Sequence, residues 1–167
     1  MPLVRYDCWR KRSKILPQLN SNSVKINTLT NKIENITLDH KIEIPKFVIS
    51  KSHLNSKTTS FVNTFKEKFP ESECRNVGSS LKLCAVASNS ANIYLRIGQI
   101  NEWDIAAGHA VLKAAGGNIF SFQTGKEIIY NSESLKTPDF FAIKDFPVPI
   151  NPHKTIFFIN FIRFILI

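Results

Sequence analysis

Apolar positions recur along this chain with two periods. From Pro45 onward the two alternate. Phe47-Val48-Ile49, bounded by Pro45 and by the polar Ser50-Lys51-Ser52-His53, reads as a buried strand over 46–50. Phe61, Val62, Phe65 and Phe69 then recur at helical spacing, with Lys57, Lys66, Glu67 and Lys68 mostly off that face. They predict a helix over 56–69 that Pro70 helps to end. A short strand at 74–77, a helix over 80–88 and a strand at 91–97 follow. Next comes Glu102-Trp103-Asp104-Ile105-Ala106-Ala107-Gly108-His109-Ala110-Val111-Leu112-Lys113-Ala114-Ala115-Gly116-Gly117, an Ala-rich helix over 104–115. Asp104 stands in the place of an N-cap, and Gly116-Gly117 supplies the C-terminal stop. Its many small residues invite a close neighbour. Strands at 118–122 and 140–143 complete the pattern, and strands alternating with helices indicate an α/β fold, a sheet layered with helices.

The flanks read differently. Residues 1–45 hold short alternating stretches, Val24-Lys25-Ile26-Asn27 and Lys41-Ile42-Glu43-Ile44, which predict a hairpin or two edge strands. After the α/β domain over 46–145, the chain is broken by Pro147, Pro149 and Pro152 and ends in an apolar dozen, Ile156–Ile167. Twelve residues carrying Asn160 and Arg163 are too few to span a bilayer, which takes roughly 20. They read as sequence beyond the domain's end, as an interfacial anchor, or as a docking strand.

The net charge of +9 is uneven. Arg5, Arg10, Lys11, Arg12 and Lys14 crowd the start against Asp7 alone, a solvated run or a contact for an anionic surface. The middle has no broad basic field of the kind nucleic acid requires, so no nucleic-acid partner is expected. Cys8, Cys74 and Cys84 have no C-x-x-C spacing. With no secretory leader in view, they point to a reducing cytoplasm and at most a peripheral place on the inner face of a membrane. Cys84 lies in an apolar helical run and reads as a core residue.

Four local groups lie at strand ends or helix starts, where open α/β sheets bind ligands. Ser79, Ser80 and Lys82 follow Gly78 at a helix start, able to cap it or to receive an anion. His53 follows the strand at 46–50, Arg96 ends the strand at 91–97, and Asp104 opens the Ala-rich helix. His109 is five residues beyond Asp104, about 140° around the helix, so the two diverge and His109 reads as an interface residue.

The run W-D-x-A-A-G-x-A-x-x-x-x-A-G-G beginning at Trp103 resembles the C-terminal signature of the inositol monophosphatase superfamily. With Gly108-His109 it looks most like the CysQ-type 3'(2'),5'-bisphosphate nucleotidases. Gly78-Ser79-Ser80-Leu81-Lys82-x-Cys84 is similar to that family's phosphate-binding segment. Ser50-Lys51-Ser52-His53 is similar to its S-R-S-H turn, with Lys for Arg at 51, and Arg96 has the family's spacing from Lys82. The resemblance implies a mixed α/β sheet like the C-terminal half of the inositol monophosphatase fold. It also implies a nucleotide bisphosphate bound by Ser79, Lys82, Arg96, His53 and Asp104, with Asp104 as a Mg2+ ligand. The family reaction is hydrolysis of adenosine 3',5'-bisphosphate to AMP and phosphate. The family's upstream motifs resemble G-E-E and D-P-x-D-G-T, yet this sequence contains no Glu-Glu, Asp-Pro or Asp-Gly. The expectation is therefore a C-terminal half, inactive alone, whose partner is a small nucleotide or a separate N-terminal half. The alternatives are a non-catalytic nucleotide- or phosphate-binding module and a membrane-surface interaction protein.

Overall fold

The structure, a computed structural model, describes residues 6–8, 13–17, 23–27, 29–36, 45–50, 55–78 and 81–144. The expected strand at 41–44 and the apolar tail at 156–167 lie outside them.

Two sheets are present among the described residues. The first is an antiparallel meander of β1 (Tyr6–Cys8), β2 (Ser13–Pro17), β3 (Ser23–Asn27) and β4 (Ile33–Ile36), in that spatial order. Where the pattern had predicted a hairpin or two edge strands, there are four strands. Two of them fall in the basic run that reads as a solvated segment. Asn27 turns the chain from β3 to β4, its Oδ1 accepting the N–H groups of Leu29 and Thr30, while Asn31 takes a positive φ of 53°. A short Asn-rich turn of this kind leaves little hydrophobic signal in the sequence.

The second sheet has the order β6-β5-β7-β9-β8, from β5 (Lys46–Ile49), β6 (Glu73–Asn76), β7 (Ile93–Arg96), β8 (Gly117–Ser121) and β9 (Phe140–Lys144). β5 pairs in parallel with β6 and β7; β9 runs antiparallel to both β7 and β8. All of β7 and β9 is buried, as expected of strands covered on both faces. Side-chain parity sorts the two covers. Val48, Tyr94, Phe140 and Ala142 pack in one cluster with Leu83, Val111 and Leu112 of helices α2 (Leu81–Ala87) and α3 (Trp103–Ala114). Their strand neighbours Phe47, Ile49, Ile93, Leu95, Phe141 and Ile143 pack with Phe61 and Phe65 of helix α1 (Ser56–Lys68) on the other face.

Ile36 of β4 joins the α2–α3 cluster, and α3 also lies against β2 and β3. The helices α2 and α3 are thus a layer between the meander and the mixed sheet. Gly108 permits the α2–α3 approach: a Cβ there would stand 2.6 Å from Leu83 Cδ1. Of the small residues expected to meet a close neighbour, Gly108 does so, whereas Ala106 and Ala110 are exposed. Among the described residues no helix is long and apolar enough to cross a membrane.

Candidate functional site

The parallel strands β5, β6 and β7 end on the same edge, and each leads into a helix there. Ser50–His53 follow β5, Gly78–Lys82 follow β6, and Arg96 closes β7 ahead of Asp104. The crevice outside the carboxyl ends of such strands is where the fold type gathers ligands. The edge is tied together by its own polar groups. Asn55 caps α1, its Oδ1 accepting from the Thr58 N–H at 2.8 Å, while its Nδ2 donates to the Ile97 carbonyl at 3.1 Å. Gly98, at φ 116°, donates its N–H to Asp139 Oδ1 at 2.7 Å.

Lys82 and Arg96 are both buried, at 4% and 8% exposure, and the Arg96 charge is near enough to act on both Lys82 and Tyr94. Because side chains alternate along β7, Arg96 shares the α2 face with Tyr94. The Lys82 ammonium lies over the Tyr94 ring, 5.1 Å from its centroid, and donates to the Val77 carbonyl at 3.2 Å. Arg96 Nε donates to the Gly98 carbonyl at 3.1 Å. Burial, and after it the Arg96 charge, lowers the Lys82 pKa to about 8. Burial raises the Tyr94 hydroxyl to about 12, with Arg96 pulling the other way. The sequence reading missed Tyr94, although its position two residues before Arg96 on a strand was the available signal.

Asp104 does not cap α3. It lies exposed within the first turn, and its Oδ2 accepts the Asn101 N–H at 3.1 Å. Glu102 holds the cap position with helical dihedrals (φ −59°, ψ −37°) and no side-chain cap bond, while Asp104 reaches back to the backbone of Asn101. Ser79 and His53 lie outside the described residues. The structure therefore brings Lys82 and Arg96 together and sets Asp104 at the start of the next helix, with a backbone contact of its own.

Glu102 is buried and serves a structural end. Its carboxylate accepts from the Asn131 N–H at 2.6 Å, the Ser132 N–H at 3.1 Å and the Ser132 hydroxyl at 2.6 Å, pinning the loop before β9 to the start of α3. The Ser132 hydroxyl first, then the two backbone N–H groups against some burial, holds its pKa below the usual glutamate value. A carboxylate with a lowered folded pKa stabilises above its unfolded pKa, and that contribution is lost as pH falls through the folded value. Urea denaturation of Glu102→Gln should give lower stability at neutral pH. The decline from about pH 5 to 3 should be shallower than in the parent. An unchanged acid limb would show that the carboxylate contributes nothing.

A magnesium ion asks for several oxygen donors, usually one or two carboxylates completed by phosphates and waters. Among the described residues no group of three or more His, Cys, Asp or Glu side chains comes together to hold a metal ion. Among the described residues Asp104 alone answers to the expected ligand set, and those residues do not make up such a site.

A mixed sheet covered by helices on both faces, with Lys82 and Arg96 buried at the carboxyl edge of its parallel strands, defines a layered α/β protein. The chain belongs to the inositol monophosphatase family, whose sequence model matches residues 17–140. It is 40% identical over 97 residues to the 3'(2'),5'-bisphosphate nucleotidase CysQ of Escherichia coli K12, covering 58% of this chain and 37% of that protein. It is also 40% identical over 92 residues to CysQ of Buchnera aphidicola from Acyrthosiphon pisum, covering 55% of this chain and 33% of that one. The crystal structure of CysQ from Bacteroides thetaiotaomicron superposes with a TM-score of 0.69 at 29% identity, over 81% of this chain and 55% of that one. The matched stretch spans little more than a third of the E. coli protein's length.

Proposed function

We propose that this chain carries the substrate-recognition part of a 3'(2'),5'-bisphosphate nucleotidase. It binds a nucleotide bisphosphate such as adenosine 3',5'-bisphosphate through Lys82 and Arg96, and it does not hydrolyse that ligand by itself. The observation that carries the reading is the pair of buried cations at the carboxyl edge of the sheet. Two like charges close enough for Arg96 to lower the Lys82 pKa repel each other, and a phosphate placed between them relieves that cost. Ser79, His53 and Asp104 complete the binding surface by resemblance to the family motif, with Asp104 also available to a shared Mg2+. The 40% identity to CysQ over 97 residues supports the choice of ligand class.

Calorimetric titration with adenosine 3',5'-bisphosphate tests this. Lys82→Ala and Arg96→Ala should each weaken binding by about tenfold to a hundredfold, the worth of a hydrogen bond to a charged group. With no nucleotide bound, the Lys82 pKa is lowered to about 8, so affinity should fall as pH rises through that region. Lys82→Arg, charged at every accessible pH, should flatten the fall. Equal affinities for the parent and both alanine variants would reject the site.

A further inference from the structure

On the flank of α3, away from Lys82 and Arg96, a cavity of about 650 Å³ opens between the helix and the segment 126–130 that follows β8. His109 forms part of its wall, at only 4% exposure, and both of its ring nitrogens are engaged. Nε2 lies 2.6 Å from Asn118 Oδ1 and Nδ1 lies 2.8 Å from the Tyr130 hydroxyl. Asn118 Oδ1 also accepts the Ile119 N–H at 2.8 Å, which identifies it as the oxygen of the amide. An oxygen can only accept, so Nε2 carries the ring proton and Nδ1 accepts from the Tyr130 O–H. The neutral ring thereby ties three parts together: α3, β8 and the segment that ends at Tyr130.

We propose that His109 is a proton-sensitive latch that holds the Glu127–Tyr130 segment against α3 and lets it open when the ring takes a second proton. That proton must land on Nδ1, where the Tyr130 hydroxyl now faces a donor and its own hydrogen loses its acceptor. The charge would also sit in a buried place. Among the described residues the groups facing the ring are few. From the segment come Tyr130 and Glu127, whose Oε1 is 4.0 Å from Nε2, with Lys126 further along the cavity wall. From α3 comes Lys113, which donates to that same Glu127 carboxylate. From β8 comes Asn118. On the other elements packed against α3, Lys82 of α2 lies over Tyr94 and Lys25 of β3 faces Glu34. Glu102 acts on Tyr130, whose pKa is raised by burial first and then by Glu102 and Glu127.

Burial lowers the His109 pKa from the ordinary histidine value. Asn118 and Glu127 pull it back up, and Lys113 adds to the lowering. A histidine with a depressed folded pKa binds its proton more readily in the opened state. The closed segment is therefore fully stable above the ordinary histidine pKa, and loses stability as pH falls from there through the folded value.

The test uses the full 167-residue chain. Ring nitrogen NMR between about pH 8 and 5 should show the Nε2–H tautomer and a midpoint below ordinary histidine. Hydrogen exchange at the Ile128 N–H, which donates to the Ile119 carbonyl at 3.1 Å, reads the opening of the segment. Relative to amides of β5, its opening should increase on acidification by about tenfold for each pH unit separating the closed and open ring midpoints. His109→Gln should abolish that relative increase. Tyr130→Phe, which removes only the hydroxyl, should reduce it, and keeps the test available where His109→Gln does not fold. An Nδ1–H tautomer would overturn the latch. So would Ile128 exchange that tracks β5 at every pH, or an acid response identical in parent and Tyr130→Phe.

Discussion

Purified chain mixed with magnesium and adenosine 3',5'-bisphosphate should release phosphate no faster than buffer does, and Asp104→Ala should leave that rate where it is. Metal-assisted hydrolysis needs oxygen donors enough to fix each ion and to place a water in line with the scissile bond. Within this sequence the paired and clustered acids of the family's upstream motifs have no counterpart: there is no Glu-Glu, Asp-Pro or Asp-Gly. Asp104 spends one oxygen on the Asn101 N–H, and Glu102 is committed to Asn131 and Ser132. Groups that act as a unit do not yield partial credit, so the missing acceleration should amount to about a million-fold or more. Turnover that depends on both magnesium and Asp104 would overturn this and require a donor set assembled between two copies. Activity restored by a separate polypeptide bearing the acidic motifs would identify this chain as one half of a two-part enzyme.

Phe141→Ala should remove about 3–5 kcal/mol of stability, a large share of the roughly 5–15 kcal/mol available to a typical domain. Phe141 is fully buried on β9, with ring contacts to Phe120 at 5.6 Å and Phe122 at 5.2 Å between centroids. It belongs to the cluster that receives Phe61 and Phe65 of α1. Truncation there loses the transfer free energy of a phenyl ring and leaves a void in a layer that helix and sheet share. Ile129→Ala is the matched control. At 86% exposure, its substitution should fall within about 0.5 kcal/mol of the parent in urea melts. Equal midpoints for the two variants would show that the α1 layer contributes little to folding.

The mixed sheet was legible because its strands are short apolar runs bounded by prolines, glycines and polar turns, and because α1 shows its phenylalanines on one face. The three helices and five strands of the region after Pro45 fall within a residue or two of the spacing-based expectation. The meander was less legible. Tyr6–Cys8 and Ser13–Pro17 sit in a run of cations whose charge pattern says nothing of backbone pairing. Around the candidate site, residue types singled out Lys82 and Arg96 as candidates, but the Tyr94 ring beneath the Lys82 ammonium depends on strand parity and on where α2 lands. The cap of α3 was misread for a similar reason. Asp104 is a good cap residue by type, yet Glu102 has already entered the helix, a matter of two dihedral angles that composition does not encode. His109 was read as an interface residue from its angle on the helix, and its two partners bear that out. Which partners they are depends on Asn118 and Tyr130, brought close by the turn after β8.

The fit of Leu83 over Gly108 has a mechanical side. Leu83 is the next residue after Lys82, and Gly108 lies one turn along the helix from Asp104. With no side chain at 108, Leu83 seats in the notch its absence leaves, and neither helix can slide without losing that seat. The contact therefore works as a gauge block. It fixes how α2 stands against α3 beside Lys82 and Asp104, so a nucleotide bound as proposed would meet a spacing between the two helices that is set before it arrives.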